Sequence, residues 1–394
     1  MAIEATPKRP VILVAVTRQG QSTEETDTYL HELAFLADTA GYEARRFFTQ
    51  KVERPDTRHF VGKGKLEEII AFTETEPIEA ILFDDDLSPS QMRNLETMTG
   101  KAIYDRSLLI LEIFMLRAQT AQARAQVELA RNEYLLPRLT RMWTHLERQR
   151  GGTGTRGGSG EMEIETDRRV IKQKIVLLKE RLIKMERQEE VRRKSRSGQV
   201  RVALVGYTNT GKSTLMNALS KAGVLSEDKL FATVDATVRR MNLNQIPFLL
   251  SDTVGFIRKL PHGLIESFKS TLMEVCEADI LLHVVDFSSK NWEDQVYIVN
   301  QTLMEIGAGN KRTIMVFNKI DDWGDGEEEY SLSIQKKRAL LSQSYVATQF
   351  PLTCFISASE RVGMDFLREM LATQCAEVYY TLYPNYLKNP SDIR

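Results

Sequence analysis

Three cysteines in 394 residues, Cys276, Cys354 and Cys375, are too few and too scattered for a disulfide framework, and none is spaced for zinc. Such usage fits a reducing cytoplasm. Long apolar runs are missing too: no stretch approaches the roughly 18 uncharged residues of a membrane-spanning helix. The first residues, Met1 to Pro10, contain an acid and no long apolar segment, so no signal peptide is expected there. What is present, 42% hydrophobic and 27% charged residues, fits a soluble globular protein with two or three domains. Net charge is only −1, yet it is uneven: Arg106 to Arg196 holds 21 Lys and Arg against 12 Asp and Glu. A basic middle in an otherwise acidic chain suggests a nucleic-acid surface, although a solvated helical hairpin would carry charge in the same way.

Residues 10–105 alternate short apolar runs with helical stretches. Strands are expected at Pro10–Val16, Glu43–Phe48, Ala80–Phe83 and Ala102–Tyr104, and helices at Glu24–Thr39, at Lys65–Thr73 and after Ser88, with Pro89 at a first helical position. This alternation implies a parallel α/β domain. Asp84-Asp85-Asp86, at a strand end, is expected to face solvent and cap a helix. Val61-Gly-Lys-Gly-Lys65 reads as a turn opening a helix.

From 106 the chain turns helical. Phe114, Ala118, Ala121, Ala125 and Leu129 make one apolar stripe, with a bend or break expected at Pro137. Ile171, Ile175, Leu178, Leu182 and Met185 make a second seam over 167–194. The two seams imply an antiparallel hairpin of long helices, with arms of roughly 40 Å at about 1.5 Å per residue. Its tip would be Gly151–Gly160, a glycine-rich stretch that reads either as a flexible linker or, with Arg148, Arg150 and Arg156 in or beside it, as a basic probe for RNA.

The chemistry lies further on. Gly206-Tyr-Thr-Asn-Thr-Gly-Lys-Ser213 is a phosphate-binding loop, G-x-x-x-x-G-K-[ST], between the strand Val200–Val205 and a helix. Backbone N–H groups and a helix N-terminus converge there on one anion. Lys212 would reach the β- and γ-phosphates and Ser213 would ligate Mg²⁺, the only metal expected where His and Cys are not clustered. Phe231-Ala232-Thr233-Val234-Asp235 stands where a switch I threonine belongs. Thr233 is the expected second metal ligand, with Thr237 its rival. In Asp252-Thr253-Val254-Gly255, Asp252 would hold Mg²⁺ through water, and Gly255 would offer its N–H to the γ-phosphate. Asn318-Lys319-Ile320-Asp321 selects the base: the Asp321 carboxylate can accept from guanine N1–H and N2–H₂, donors that adenine lacks. Ser357-Ala358-Ser359 would present an N–H to guanine O6. Where Ras-type GTPases carry a water-orienting glutamine stands Phe256, so no catalytic residue is assigned and slow intrinsic hydrolysis is expected. His283 reads as a satisfied core histidine.

These motifs resemble the HflX family of GTPases over nearly the whole chain. Upstream the resemblance rests on Val61–Lys65, Asp105-Arg106, Gly154-Thr-Arg-Gly157 and Glu165-Thr-Asp-Arg-Arg169. Ala236 departs from it, standing where the family usually has proline. The resemblance implies a cytoplasmic, monomeric GTPase that binds the 50S subunit and its 23S rRNA in the GTP form and splits or rescues stalled 70S ribosomes. A ribosome-assembly GTPase and a nucleotide-gated scaffold are the alternatives. The fold expected is α/β throughout its ends: an N-terminal parallel α/β domain (1–105), an antiparallel helical hairpin (106–197), a P-loop GTPase domain with a mostly parallel sheet and helices on both faces (198–375), and a short tail (376–394).

Overall fold

The computed structural model describes residues 8–139, 160–194, 198–220, 230–231, 237–261, 269–324 and 332–386. They form two compact units, one of residues 1–183 with 259–267, the other of residues 184–258 with 268–394.

The first unit is built on a four-stranded sheet ordered β2-β1-β3-β4, all pairs parallel. Its strands are β1 (Arg9–Thr17), β2 (Tyr42–Lys51), β3 (Ala80–Phe83) and β4 (Ala102–Asp105). β1 is buried from Val11 to Thr17, as its near-continuous apolar run requires in a covered parallel sheet. Local chemistry starts the helices. Ser22 and Glu25 form a capping box on α1 (Thr23–Thr39), and α2 (Lys63–Thr75) follows Gly62. Ser88 and Gln91 do the same for α3 (Pro89–Thr99), with Pro89 in the first turn. Asp105 caps α4 (Arg106–Arg117) through the Leu108 N–H.

The apolar stripe expected from Phe114 to Leu129 is not one helix face. α4 ends at Arg117, and Thr120 caps a new helix, α5 (Ala121–Leu135), by accepting from the Ala123 N–H at 3.1 Å. Ala121, inside the expected stripe, is exposed. A hydroxyl competing for the first free N–H groups outweighs the alanine-rich pattern. α5 then tightens into a 3₁₀ turn, Leu136–Arg138, around Pro137. The second seam does form: Ile171, Ile175, Leu178 and Leu182 of α6 (Gly160–Lys194) pack with Ala125, Leu129 and Leu139. Glu128 and Glu133 of α5 pair with Lys174 and Lys179 at 2.6 and 2.8 Å, five residues further on along both helices. The described parts of α5 and α6 therefore run in the same direction. The stretch 140–159, with the expected hairpin tip and Arg148, Arg150 and Arg156, lies outside the described residues.

Asp84 and Asp85 do not face solvent. Both are buried: Asp84 accepts from the wholly buried Arg106 at 2.7 Å, and Asp85 from Arg18 at 2.9 Å and Lys259 at 2.5 Å. Arg106 also reaches Glu32 at 2.7 Å. Buried carboxylates persist here because cations from distant segments neutralise them.

The second unit holds a six-stranded sheet ordered β10-β9-β8-β5-β7-β6. The strands β5 (Val200–Val205), β7 (Ile246–Asp252), β8 (Ile280–Asp286), β9 (Arg312–Asn318) and β10 (Thr353–Phe355) are parallel, and β6 (Thr237–Leu243) pairs antiparallel with β7 at the edge. The turn between β6 and β7, Asn244-Gln245, has positive φ at both residues, the geometry of a tight hairpin. Side chains alternate across the sheet. Ile314 and Val316 join one core with Leu215 of α7 (Lys212–Ser220) and Leu371 of α12 (Met364–Leu382). Met315 and Phe317 join another with Val296 of α9 (Trp292–Glu305) and Leu341 of α10 (Ile334–Leu341). Helices thus cover both faces; α8 (Lys269–Glu277) and the short α11 (Tyr345–Gln349) complete them. α12 runs on to Leu382; its Tyr379 and Tyr380 pack against the core of the unit, and Tyr383 beyond it donates to the Gly198 carbonyl at 2.7 Å.

Candidate functional site

The motifs meet where the parallel strands of the second sheet end, the usual position of a ligand crevice in such folds. β5 delivers the chain to Gly206, and α7 begins at Lys212. Gly206 has φ 150° and a Cβ there would run into the Val284 carbonyl of β8, so only glycine fits. Within the loop, Thr210 donates to the Tyr207 carbonyl at 3.1 Å, and Asn209 takes the left-handed conformation. The Thr208 hydroxyl oxygen is buried with no hydrogen-bond partner among the described residues. Lys212 is 7% exposed, and its ammonium donates to Gly206 O at 3.1 Å and Tyr207 O at 2.5 Å. Burial pushes its pKa down to about 8, the charge of Asp252 opposing and that of Lys319 adding to the shift.

The segment after β7 is laced to this loop. Thr208 N donates to Phe256 O at 2.7 Å, Phe256 N to Gly206 O at 3.1 Å, and Arg258 N to the Tyr207 hydroxyl at 2.9 Å. Thr253 turns inward and donates to Leu204 O at 2.6 Å, and Val254 is buried. Gly255 faces the loop closely: a Cβ would lie 2.9 Å from Thr208 Cγ2 and 3.1 Å from Lys212 Nζ. A side chain there would crowd Thr208 and the Lys212 ammonium. The Phe256 ring is 2% exposed and belongs to the core, so it neither orients water nor blocks it. Beside the loop, Ser213 Oγ donates to Asp252 Oδ2 at 2.7 Å. A hydroxyl and a carboxylate so placed are hard oxygen donors suited to a magnesium ion that takes its remaining ligands from phosphate and water. Phe231 is buried with φ 53°, while Ala232, Thr233, Val234 and Asp235 lie outside the described residues. Thr237, the rival, opens β6 directly opposite Asp252 and is exposed.

The base-selecting segment follows β9. Asn318 is 2% exposed and bridges three loops: its Nδ2 donates to Thr210 O at 2.9 Å, and its Oδ1 accepts from Ala358 N at 3.0 Å. That second bond occupies the Ala358 N–H. Lys319 has φ 62°, and its ammonium pairs with Asp286 at 2.7 Å. Ile320 points away into the core. Asp321 Oδ1 is buried with no hydrogen-bond partner among the described residues, and Oδ2 receives only a long bond, 3.4 Å, from Ser359. A buried carboxylate oxygen left open in this way fits a ligand that brings donors, as the edge of guanine does. Ser357 accepts from the Glu360 N–H at 3.2 Å and shapes the neighbouring turn.

Two residues of this site carry no motif. Asp286 is legible only as an acid ending an apolar strand. Lys337, on α10, is 1% exposed and donates to Asp321 O at 2.9 Å and to Trp323 O. His283, on β8, is buried with its Nδ1 unpartnered among the described residues, rather than satisfied as expected; burial, aided by the charge of Lys212, pushes its pKa down to about 3 and keeps it neutral.

Three family models match in succession: a GTP-binding GTPase N-terminal region over residues 27–115, a GTP-binding GTPase middle region over 117–196, and a 50S ribosome-binding GTPase over 201–319. The GTPase HflX of Flavobacterium psychrophilum is 49% identical over 382 residues, covering 95% of this chain and 92% of that protein. The GTPase HflX of Escherichia coli is 45% identical, covering 76% of this chain and 70% of its own. A solved complex of the protein SsGBP with GDP matches at TM-score 0.51 and 25% identity, over 94% of this chain and 99% of that one. With a nucleotide crevice whose parts all stand at strand ends, and relatives alike across almost its full length, the chain belongs to the HflX family of GTPases and hydrolyses GTP.

Proposed function

We propose that this GTPase is a switch that binds the 50S ribosomal subunit when loaded with GTP and splits or rescues stalled 70S ribosomes. The observation that carries the nucleotide half is the open, buried Asp321 oxygen at one end of the crevice with Lys212 and the Ser213–Asp252 pair at the other. The ribosomal half rests on the match to 50S ribosome-binding GTPases and on the basic segment 106–196.

In this reading the N–H groups of Gly206–Ser213 cradle the phosphates, and Lys212 leaves its loop carbonyls to neutralise the β- and γ-phosphates. Ser213 and Thr233 would hold Mg²⁺, with Asp252 acting through water, and the ion would supply positive charge to the phosphate oxygens. Gly255 donates its N–H to the γ-phosphate. Asp321 takes guanine N1–H and N2–H₂, and Lys319 lies over the base. With the Ala358 N–H engaged by Asn318, the Ser359 N–H is the donor for guanine O6. No side chain of the described crevice replaces the missing glutamine, so the isolated protein turns over slowly, within an order of magnitude or two of about 10⁻⁴ s⁻¹, and large subunits accelerate it. Arg148, Arg150 and Arg156 contact 23S rRNA phosphates, which makes binding weaken steeply with salt. The protein acts as a monomer in the cytoplasm. Among the described residues, no helix is long and apolar enough to cross a membrane.

Cosedimentation with 70S, 50S and 30S particles in GTP, GDP and a non-hydrolysable analogue tests this. GTP-dependent association with 50S, and loss of 70S light scattering on mixing, are expected. Association restricted to immature large subunits would make it an assembly GTPase. Association indifferent to the nucleotide would end the switch reading.

A further inference from the structure

Lys337 stands where the pattern of α10 calls for an apolar residue. The helix buries only Lys337 and Leu341, one turn apart, and Leu341 joins the aromatic core around Phe287 and Phe317. At 1% exposure the lysine ammonium has left water. Withdrawing an ammonium from water is costly unless its protons are met. Here they are met by main-chain carbonyls, Asp321 O at 2.9 Å and Trp323 O. These belong to the turn that closes the base-selecting segment, in which Asp322 N bonds to Lys319 O at 3.1 Å and Trp323 N to Ile320 O at 3.4 Å. The turn starts from a strained residue, Lys319, at φ 62°.

The Asp321 carboxylate is itself weakly held. Oδ1 has no partner among the described residues, and Oδ2 has only the 3.4 Å bond from Ser359. Its aim is therefore set by its main chain, and the carbonyl of Asp321 is one of the two groups that Lys337 grips. We propose that Lys337 is a positioning residue for base selection: its buried ammonium clamps the Asp321 and Trp323 carbonyls and so holds the Asp321 carboxylate where the N1–H and N2–H₂ of guanine arrive. The clamp acts on the base and not on the phosphates, because its acceptors lie in the base-selecting turn and the phosphate loop is bound through Asn318 instead.

This proposal rests on Asp321 being the guanine acceptor, and one assay separates the two claims. Inosine lacks the 2-amino group and can make one bond fewer to Asp321, so the ratio of GTP to ITP affinity reports how well the carboxylate is aimed. It is measured by competition against a fluorescent guanine nucleotide for the full chain, for Asp321→Asn and for Lys337→Met, which keeps the length of the side chain and removes its donors. Lys337→Met should narrow the GTP-to-ITP ratio by about tenfold while leaving the GTP-to-GDP ratio unchanged. A uniform loss of affinity with an unaltered GTP-to-ITP ratio would reduce Lys337 to a packing residue and overturn the proposal. If Asp321→Asn abolishes the guanine preference but Lys337→Met keeps it, the clamp fails and the guanine site stands. If Asp321→Asn changes nothing, the guanine site itself is misassigned. Should Lys337→Met fail to fold, Lys337→Leu, which has no donor and suits the aromatic core beside Leu341, is read by the same ratio: narrowing supports the clamp and constancy refutes it.

Discussion

GTP affinity should fall as pH rises through the range in which Lys212 loses its proton. Burial holds the Lys212 ammonium at a pKa of about 8 in the free protein. Two phosphates beside it favour the charged form, so the pKa rises on binding and the complex takes up a proton. The sign follows: below pH 8 the lysine is already charged and affinity is level, and above it each nucleotide bound must also recruit a proton. With a bound-state pKa near that of free lysine, affinity should be about tenfold weaker at pH 9 than at pH 7, or about 1.4 kcal/mol. This window ends before guanine loses its own N1–H. Titration of a fluorescent GTP analogue across pH 7–9 measures the slope. Calorimetry at pH 8.5 in buffers of different ionisation enthalpy should count roughly three-quarters of a proton taken up per nucleotide. Lys212→Arg is the control: a guanidinium stays charged throughout, so whatever affinity it retains should be flat across the range. A flat curve for the natural protein, or the same slope in Lys212→Arg, would refute the reasoning.

Asp321→Asn should weaken GTP by about a hundredfold and favour xanthosine triphosphate, whose C2 oxygen needs a donor; competition binding reads both. Ser213→Ala, which removes the hydroxyl 2.7 Å from Asp252, should leave GDP binding nearly intact and erase the magnesium dependence of GTP binding, followed by titration with and without a chelator. Arg106→Met should cost about 3 kcal/mol in urea unfolding, because it removes the buried cation that Asp84 and Glu32 share in the first unit and leaves Asp84 the longer contact with Lys259 at 3.5 Å. Changing Arg148, Arg150 and Arg156 together to Ala should weaken 50S cosedimentation and flatten its salt dependence while sparing GTP affinity.

What the sequence made legible is what local chemistry fixes. A phosphate loop needs its glycines and lysine at set spacing, and a guanine acceptor needs an acid just beyond a buried strand, so Gly206–Ser213, Asp252 and Asn318–Asp321 could be expected at strand ends around one crevice, where they stand. The helix start at Ser88 belongs to the same class. Some illegible features depend on partners far along the chain, and others on local detail that the apolar pattern does not carry. Asp84 and Asp85 read as solvent-facing because the cations that bury them stand 22, 67 and 174 residues away. β6 escaped because an edge strand of half-exposed residues carries no apolar alternation. The break between α4 and α5 escaped because alanines continue the helical period through it, and only the Thr120 hydroxyl marks the restart. Lys337 looks like any lysine on a short surface helix until Asp321 and Trp323 are seen above it.

The Asn318 amide is a gauge of fixed length between the two ends of the nucleotide. Because one side chain bonds the carbonyl of Thr210 and the N–H of Ala358, the phosphate loop cannot shift without moving the base-selecting loops. Binding at either end stiffens the other, so guanosine and pyrophosphate added separately should each raise the affinity for the other. Gly211 shows how close the gauge lies to the phosphate loop: a Cβ on it would fall against Asn318 Nδ2. A methyl group added to the phosphate loop at that point would be felt at the opposite end of the crevice, as a protein that no longer tells one purine from another.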